Sequence, residues 1–183
     1  MARTDKTTLK GNPVELVGNE INVGDCAPVV KVVATDLSEK QIGGENDKAQ
    51  LVVVVPSLDT PVCDAETRRF NTDAASLNGV ETIVVSMDLP FAGKRFCSTA
   101  GIENLTVTSD FRNKEFANAY GVLIGDGALA GVTCRAIFVI DKGGKVCYKQ
   151  IVPEITADPN FEEALEAAKV AGETGADCCG TCS

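Results

Sequence analysis

The chain has 183 residues, 44% of them hydrophobic, with 26 acidic and 17 basic side chains and a net charge of −9. That balance argues against nucleic acid as a partner, since phosphate-backbone binding needs clustered Lys and Arg, and no apolar run approaches the roughly 20 residues of a membrane-spanning helix. The complete absence of histidine excludes a Cys-His dyad, a Ser-His-Asp triad, a histidine-bound haem and a His-containing zinc site built from this chain alone.

The length suits one domain with a full core. The first residues, MARTDKTTLKGN, contain no apolar stretch of the kind a signal peptide carries, so a cytoplasmic protein is expected. TTLKGNPVELVG alternates around GNP and reads as an N-terminal β-hairpin. A loop, GNEINVGDCAP, then leads to a strand in VVKVVATDL. Residues 50–55, QLVVVV, form a short continuous apolar run bounded by proline, the pattern of a central strand buried on both faces.

Residues 61–77 are helix-compatible, with Ala65, Phe70 and Ala74 at helical spacing. ETIVVSMDLP is a second buried strand, FAGKRFCSTAG a short helix and LTVTSD a brief strand. RNKEFANAYG is helical, with Gly121 as its stop. CRAIFVID and KVCYKQIV flank Asp141-Lys142-Gly143-Gly144 and read as an antiparallel hairpin. A last amphipathic helix spans 158–170, with Pro159 in its first turn. Strands alternating with helices, then a closing hairpin and helix, predict an α/β fold: a thioredoxin-like three-layer domain over residues 1–170, its mixed central sheet flanked by helices. Residues 171–183, AGETGADCCGTCS, form a cysteine-rich tail.

Eight cysteines stand at 26, 63, 97, 134, 147, 178, 179 and 182. Cys63 occupies PSLDTPVCDAETRRFN, directly after the buried strand. Thr60 suits the N-cap and Pro61 the first helical position, which puts Cys63 at N3. A capping box holds Glu or Gln there, turned toward free backbone N–H groups. A thiol in that slot meets the same donors and the helix dipole, which favour its anion. Ionisation alone has a limited effect: an ordinary thiol is about 3% thiolate at pH 7, so full ionisation adds roughly thirtyfold. Faster chemistry needs groups that stabilise charge in the transition state.

Pro56, Thr60 and Cys63 stand as P-x-x-x-T-x-x-C, which resembles the peroxiredoxin active-site pattern. With SMDLPFAGKRFC and SDFRNKEFANAYGV, the chain resembles the thiol peroxidase subfamily, atypical two-cysteine type, over about residues 7–170. The resemblance implies that Cys63 attacks a hydroperoxide and becomes a sulfenic acid. It implies that Thr60 and Arg135, in TCRAIFVID, polarise the peroxide, and that Pro56 shields the pocket. It further implies that Cys97 resolves the sulfenic acid as an intrachain disulfide. Thioredoxin or a similar dithiol would then reduce that bond, hydrogen peroxide and alkyl hydroperoxides would be substrates, and the protein would be a homodimer needing no cofactor and no metal.

The other cysteines carry less. Cys134 and Cys147 lie on predicted strands as fillers, and Cys26 beside Ala27-Pro28 is taken as structural. Cys178-Cys179-Gly180-Thr181-Cys182 departs from the family pattern, and its C-x-x-C leaves three readings open: accessory redox thiols, metal capture or no defined role. Two rival functions remain. A thiol-disulfide oxidoreductase is disfavoured because Thr60 replaces the first cysteine of a helix-start C-x-x-C. A metal-binding or interaction protein built on the tail leaves Thr60, Cys63 and Arg135 without a purpose.

Overall fold

The computed structural model describes residues 5–174, so Cys178, Cys179 and Cys182 lie outside the described residues. In chain order the strands are β1 (Thr7–Leu9), β2 (Asn12–Val14), β3 (Leu16–Val17), β4 (Val30–Ala34), β5 (Glu39–Ile42) and β6 (Ala49–Val54). Helix α1 (Pro61–Ala74), β7 (Val80–Ser86), α2 (Pro90–Ala100) and β8 (Thr106–Ser109) follow. The chain then forms α3 (Glu115–Ala119), β9 (Leu123–Ile124), β10 (Ala136–Ile140), β11 (Val146–Ile151) and α4 (Phe161–Glu173).

Seven strands build the central sheet in the order β11-β10-β6-β7-β8-β4-β5. β6, β7 and β8 run parallel, while β10 and β4 pair antiparallel with their neighbours, so the sheet is mixed. β6 lies inside it, and all six of its residues are buried. A strand covered on both faces has no solvent side and therefore no polar alternation. One face packs Leu51 and Val53 against Phe70 of α1 and Ala164, Ala168 and Ala171 of α4. The other packs Val52 and Val54 against Phe116, Tyr120 and Phe138, with the Tyr120 and Phe138 rings edge-on at 5.3 Å. Helices on both faces give the three expected layers.

The N-terminal hairpin is present as β1–β2, and the closing hairpin as β10–β11. Three features depart from the sequence reading. β5 was not foreseen, because EKQI buries only Ile42 and its partner β4 supplies the ladder; polar edge strands carry no hydrophobic signal. α4 starts and stops three residues later than expected. The Asn160 side chain, which accepts from the Glu163 N–H at 3.3 Å, caps it, and Pro159 stays outside. The division placed at residue 170 therefore falls inside α4. Finally, Ala65 is exposed, and α1 buries Cys63, Glu66, Thr67 and Phe70 instead. That is one helical face at i, i+3, i+4 and i+7, disguised in the sequence by its polar members.

Cys134 is buried and Cys147 half-buried, both with reduced thiols, as fillers should be. Cys26 is exposed, forms an isolated bridge with Lys145 and is disulfide-bonded.

α4 ends against the start of β7 at a contact between two glycines. A Cβ on Gly172 would lie 2.4 Å from the Asn78 carbonyl oxygen and 2.6 Å from Val80 Cγ2. Backbone cannot move aside as a flexible side chain can. Gly172→Ala is expected to destabilise the fold by about 1–3 kcal/mol, read as a lower urea midpoint at unchanged slope. An unchanged midpoint would show that the contact is not tight in solution.

Candidate active site

The site begins where β6 leaves the sheet. Residues 56–60 form a bend at that edge, and Pro56 is buried. The Asp88 carboxylate anchors the bend: it accepts from Ser57 Oγ at 2.8 Å, from the Leu58 N–H at 2.7 Å and from Ser86 Oγ at 2.9 Å. The bend is thereby fixed to the end of β7. Thr133 Oγ1 adds a bond to the Val55 carbonyl at 2.8 Å. Asp88 did not emerge from the sequence, where an acid following a strand reads as an ordinary turn residue.

The bend ends in the cap foreseen for α1. Thr60 has extended backbone, its Oγ1 accepts from the Cys63 N–H at 3.4 Å and Pro61 is the first helical residue. The Thr60 hydroxyl in turn donates to the Ser57 carbonyl at 3.2 Å. Cys63 follows on the buried face with no exposed surface.

Arg135, immediately before β10, reaches the same point. It is 2% exposed, and its guanidinium makes three contacts. Nε donates to the Ile155 carbonyl at 2.9 Å, Nη1 to Glu66 Oε2, and Nη2 to Cys63 Sγ at 3.3 Å. The sulfur thus lies between the N-terminus of α1 and a cation, an arrangement that favours negative charge there. Pro56, Thr60, Cys63 and Arg135 are brought together.

Glu66 was missed, although its position three residues after Cys63 places both on one helical face. Its Oε1 is buried and has no hydrogen-bond partner among the described residues. Burial pushes its carboxyl up to about 7, against the downward pull of Arg135, and Asp158 adds to the rise. In a chain without histidine, this is a carboxyl whose pKa lies near neutral pH, held by the same guanidinium that reaches Cys63 Sγ.

Cys97 lies on α2, half-buried, and burial raises its pKa from the ordinary thiol value. Cys63 and Cys97 are both reduced. Between their helices runs a groove of ≈ 430 Å³ lined by Leu58, Thr60, Pro61, Arg95 and Phe96 among others. Arg68, which also lines the groove, donates to the Ala100 carbonyl at 3.1 Å, and Asn71 Oδ1 accepts from the Glu103 and Asn104 N–H groups at 3.0 and 2.8 Å. These bonds fix to α1 the C-terminal end of α2, the end on which Cys97 lies.

A family model described as Redoxin matches residues 22–165. The chain belongs to the redoxin family. A thiol peroxidase of Aquifex aeolicus (strain VF5) is 57% identical over 169 residues, covering 92% of this chain and 98% of its own length. A thiol peroxidase of Campylobacter jejuni is 57% identical over 174 residues, 95% of each chain. The crystal structure of a peroxiredoxin-like protein from Aquifex aeolicus superposes with a TM-score of 0.88 at 55% identity, over 91% of this chain and 96% of that one. At 21% identity, a thiol peroxidase from Chromobacterium violaceum shares the fold with a TM-score of 0.80, over 90% of this chain and 95% of its own. The redoxin chain is thus a thiol-dependent peroxidase of the peroxiredoxin type on a thioredoxin-like fold, as its motifs implied.

Glu66 gives a pH signature with a definite sign. Its folded pKa of about 7 lies above the ordinary 4.5, so the folded state retains a proton that the unfolded chain has lost. Its stabilising contribution is full below about pH 4.5 and is lost as pH rises through about 7. Between pH 5 and 8 the wild type should lose stability relative to Glu66→Gln, by an amount on the order of a few kcal/mol. Urea midpoints across that range measure it, and a constant difference would show that Glu66 does not titrate there.

Proposed function

We propose that this redoxin reduces hydrogen peroxide and alkyl hydroperoxides with Cys63 as the attacking thiolate and Cys97 as the resolving thiol. One observation carries the reading: Arg135 Nη2 lies 3.3 Å from Cys63 Sγ, on a helix end capped by Thr60. The sulfur attacks one peroxide oxygen, the O–O bond breaks and its electron pair goes to the leaving oxygen. That oxygen takes a proton and departs as water or an alcohol. Cys63 becomes a sulfenic acid.

Charge grows on the leaving oxygen, and preorganised donors act most strongly where charge develops. Arg135 is such a donor, held by Glu66 and the Ile155 carbonyl so that little reorganisation is required. Thr60 fixes the Cys63 backbone at the same point, and buried Pro56 closes the pocket beneath it. Leu58, Pro61 and Phe96, among the residues that line the groove, supply apolar surface that favours organic hydroperoxides alongside hydrogen peroxide.

Cys97 then attacks the sulfenic sulfur, a disulfide forms and water leaves. A disulfide needs Cα atoms about 4.4–6.8 Å apart, and both cysteines belong to helices. Resolution therefore runs through local opening of the last turns of α2, where Cys97 lies, with release of the bonds that Arg68 and Asn71 make there. Thioredoxin or a similar dithiol restores both thiols by exchange. A cytoplasmic setting supplies such a reductant. The homodimer remains a family expectation, for which exposed Leu89 and Phe91 offer apolar surface beside the groove.

Reduced protein given one equivalent of an organic hydroperoxide, then alkylated and digested with trypsin, should show residues 49–68 linked to 96–112. Unmodified Cys63 after peroxide would overturn the reading. In steady-state assays Cys63→Ser should abolish turnover, and Arg135→Ala should lower kcat/KM by about 10²–10³. A loss below about threefold would remove Arg135 from the mechanism. Cys97→Ser should still consume one equivalent of peroxide and then stop, with Cys63 trapped by a sulfenic-acid reagent.

A further inference from the structure

The N-terminal hairpin β1–β2 lies outside the central sheet, and no step of the peroxidase cycle uses it. It is nonetheless bonded, through β1 and its turn, to residues 152–155, the segment that follows β11 and takes hold of Arg135. We propose that this hairpin is a clamp for Arg135 and that Glu154 is a positioning residue for peroxide reduction, locking the hairpin onto the segment whose carbonyl orients the guanidinium. This role rests on the one proposed for Arg135 at the reacting sulfur.

The segment holds Arg135 by both its backbone and its side chain. The Val152 N–H donates to the Arg135 carbonyl at 3.0 Å, and the Ile155 carbonyl accepts from Arg135 Nε at 2.9 Å. Val152 and Ile155 are buried, so bulk water does not compete for either bond. A guanidinium is planar and its donors form a rigid fork. The bond at Nε therefore sets the plane that also carries Nη1 to Glu66 and Nη2 to Cys63 Sγ. Displacing the Ile155 carbonyl turns the donor that faces the sulfur.

β1 holds the segment from the other side. The Thr8 N–H donates to the Pro153 carbonyl at 2.8 Å and the Ile155 N–H to the Thr8 carbonyl at 2.9 Å, a parallel bridge between Thr8 and Glu154. Buried Thr7 adds a bond from Oγ1 to the Val152 carbonyl at 2.8 Å. Ile155 thus gives its N–H to the hairpin and its carbonyl to Arg135.

Glu154 closes the contact. Its Oε2 accepts from Thr8 Oγ1 at 2.7 Å and from the Gly11 N–H at 3.0 Å. Its Oε1 accepts from the Lys10 N–H at 3.0 Å and, beyond Ile155, from Thr156 Oγ1 at 2.9 Å and the Thr156 N–H at 3.3 Å. These donors, the Gly11 N–H foremost, hold its carboxyl down at about 2, so it is an anion at neutral pH. Lys10 and Gly11 form the hairpin turn with φ of 52° and 79°. Such a turn needs positive φ at both positions, which is unusual for a lysine. The same conformation brings both N–H groups to the Glu154 carboxylate, and those bonds offset its cost.

Two full-length variants test the clamp, each checked for folding by its urea midpoint. Glu154→Ala removes the carboxylate and leaves the backbone bonds of Thr8, whereas Thr8→Val removes the hydroxyl bonds to Glu154 and Pro153 with little change of shape. In Glu154→Ala, kcat/KM for an organic hydroperoxide should fall by about tenfold, as misplacement of a donor implies, and in Thr8→Val it should fall by less. The later rate of Cys63–Cys97 disulfide formation should stay within about twofold, because Arg135 acts on the first step. In an Arg135→Ala background, Glu154→Ala should change kcat/KM by less than about twofold. Thiolate absorbance at neutral pH, measured against the matching Cys63→Ser protein, should also fall in Glu154→Ala, and this reading needs no peroxide. Unchanged kcat/KM and unchanged thiolate absorbance in both folded variants would overturn the clamp. So would an equal loss without Arg135, or an equal slowing of the disulfide step. A fall in thiolate absorbance with kcat/KM unchanged would uphold the clamp and overturn the part proposed for Arg135 in turnover.

Discussion

A buried guanidinium joins the start of α1 to the start of β10. Arg135 is almost fully enclosed, and its three nitrogens are engaged by the Ile155 carbonyl, Glu66 and Cys63. Removing a charge from water is costly unless it is paired and hydrogen-bonded, and deleting one partner of such a pair typically costs about 3–5 kcal/mol. The arrangement persists because two rigid elements meet around it. Arg135 precedes the fully buried β10, and Glu66 and Cys63 share the inner face of α1.

The rest of the fold keeps those elements in register. β6 and β10 pair side by side at the centre of the sheet, so the start of α1 and the residue before β10 emerge at the same edge. Asp88 ties the intervening bend to the end of β7 through three hydrogen bonds. The edge beyond the carboxyl ends of parallel strands is where open α/β sheets place their sites. Here it gathers a helix N-terminus, a cation and a carboxyl able to hold a proton.

The opposite edge has a different character. There the β10–β11 turn, the end of α4 and the Cys26 loop converge through backbone bonds and Lys142. Rigidity matters at the first edge, because donors must already be in place when charge develops.

Much of this was legible in the sequence because it is local. The continuous apolar run of β6, the Thr60-Pro61 cap and the place of Cys63 in its first turn depend on residues within a few positions of one another, and steric and capping preferences act over that range. Glu66, Asp88 and the polar inner face of α1 were not legible. The partners that reveal them lie 30 to 69 positions away in the chain, and a carboxylate in a polar helix looks solvent-exposed until a buried arginine is brought to it. β5 was hidden for a related reason, since an edge strand takes its hydrogen bonds from β4 while showing its own polar side chains to water. The sequence by itself determined the fold and the place of Cys63 in a capped first helical turn. Tertiary structure decided which charges surround that sulfur and at which end of the sheet Cys26 would lie, because burial and long-range pairing are properties of the closed chain.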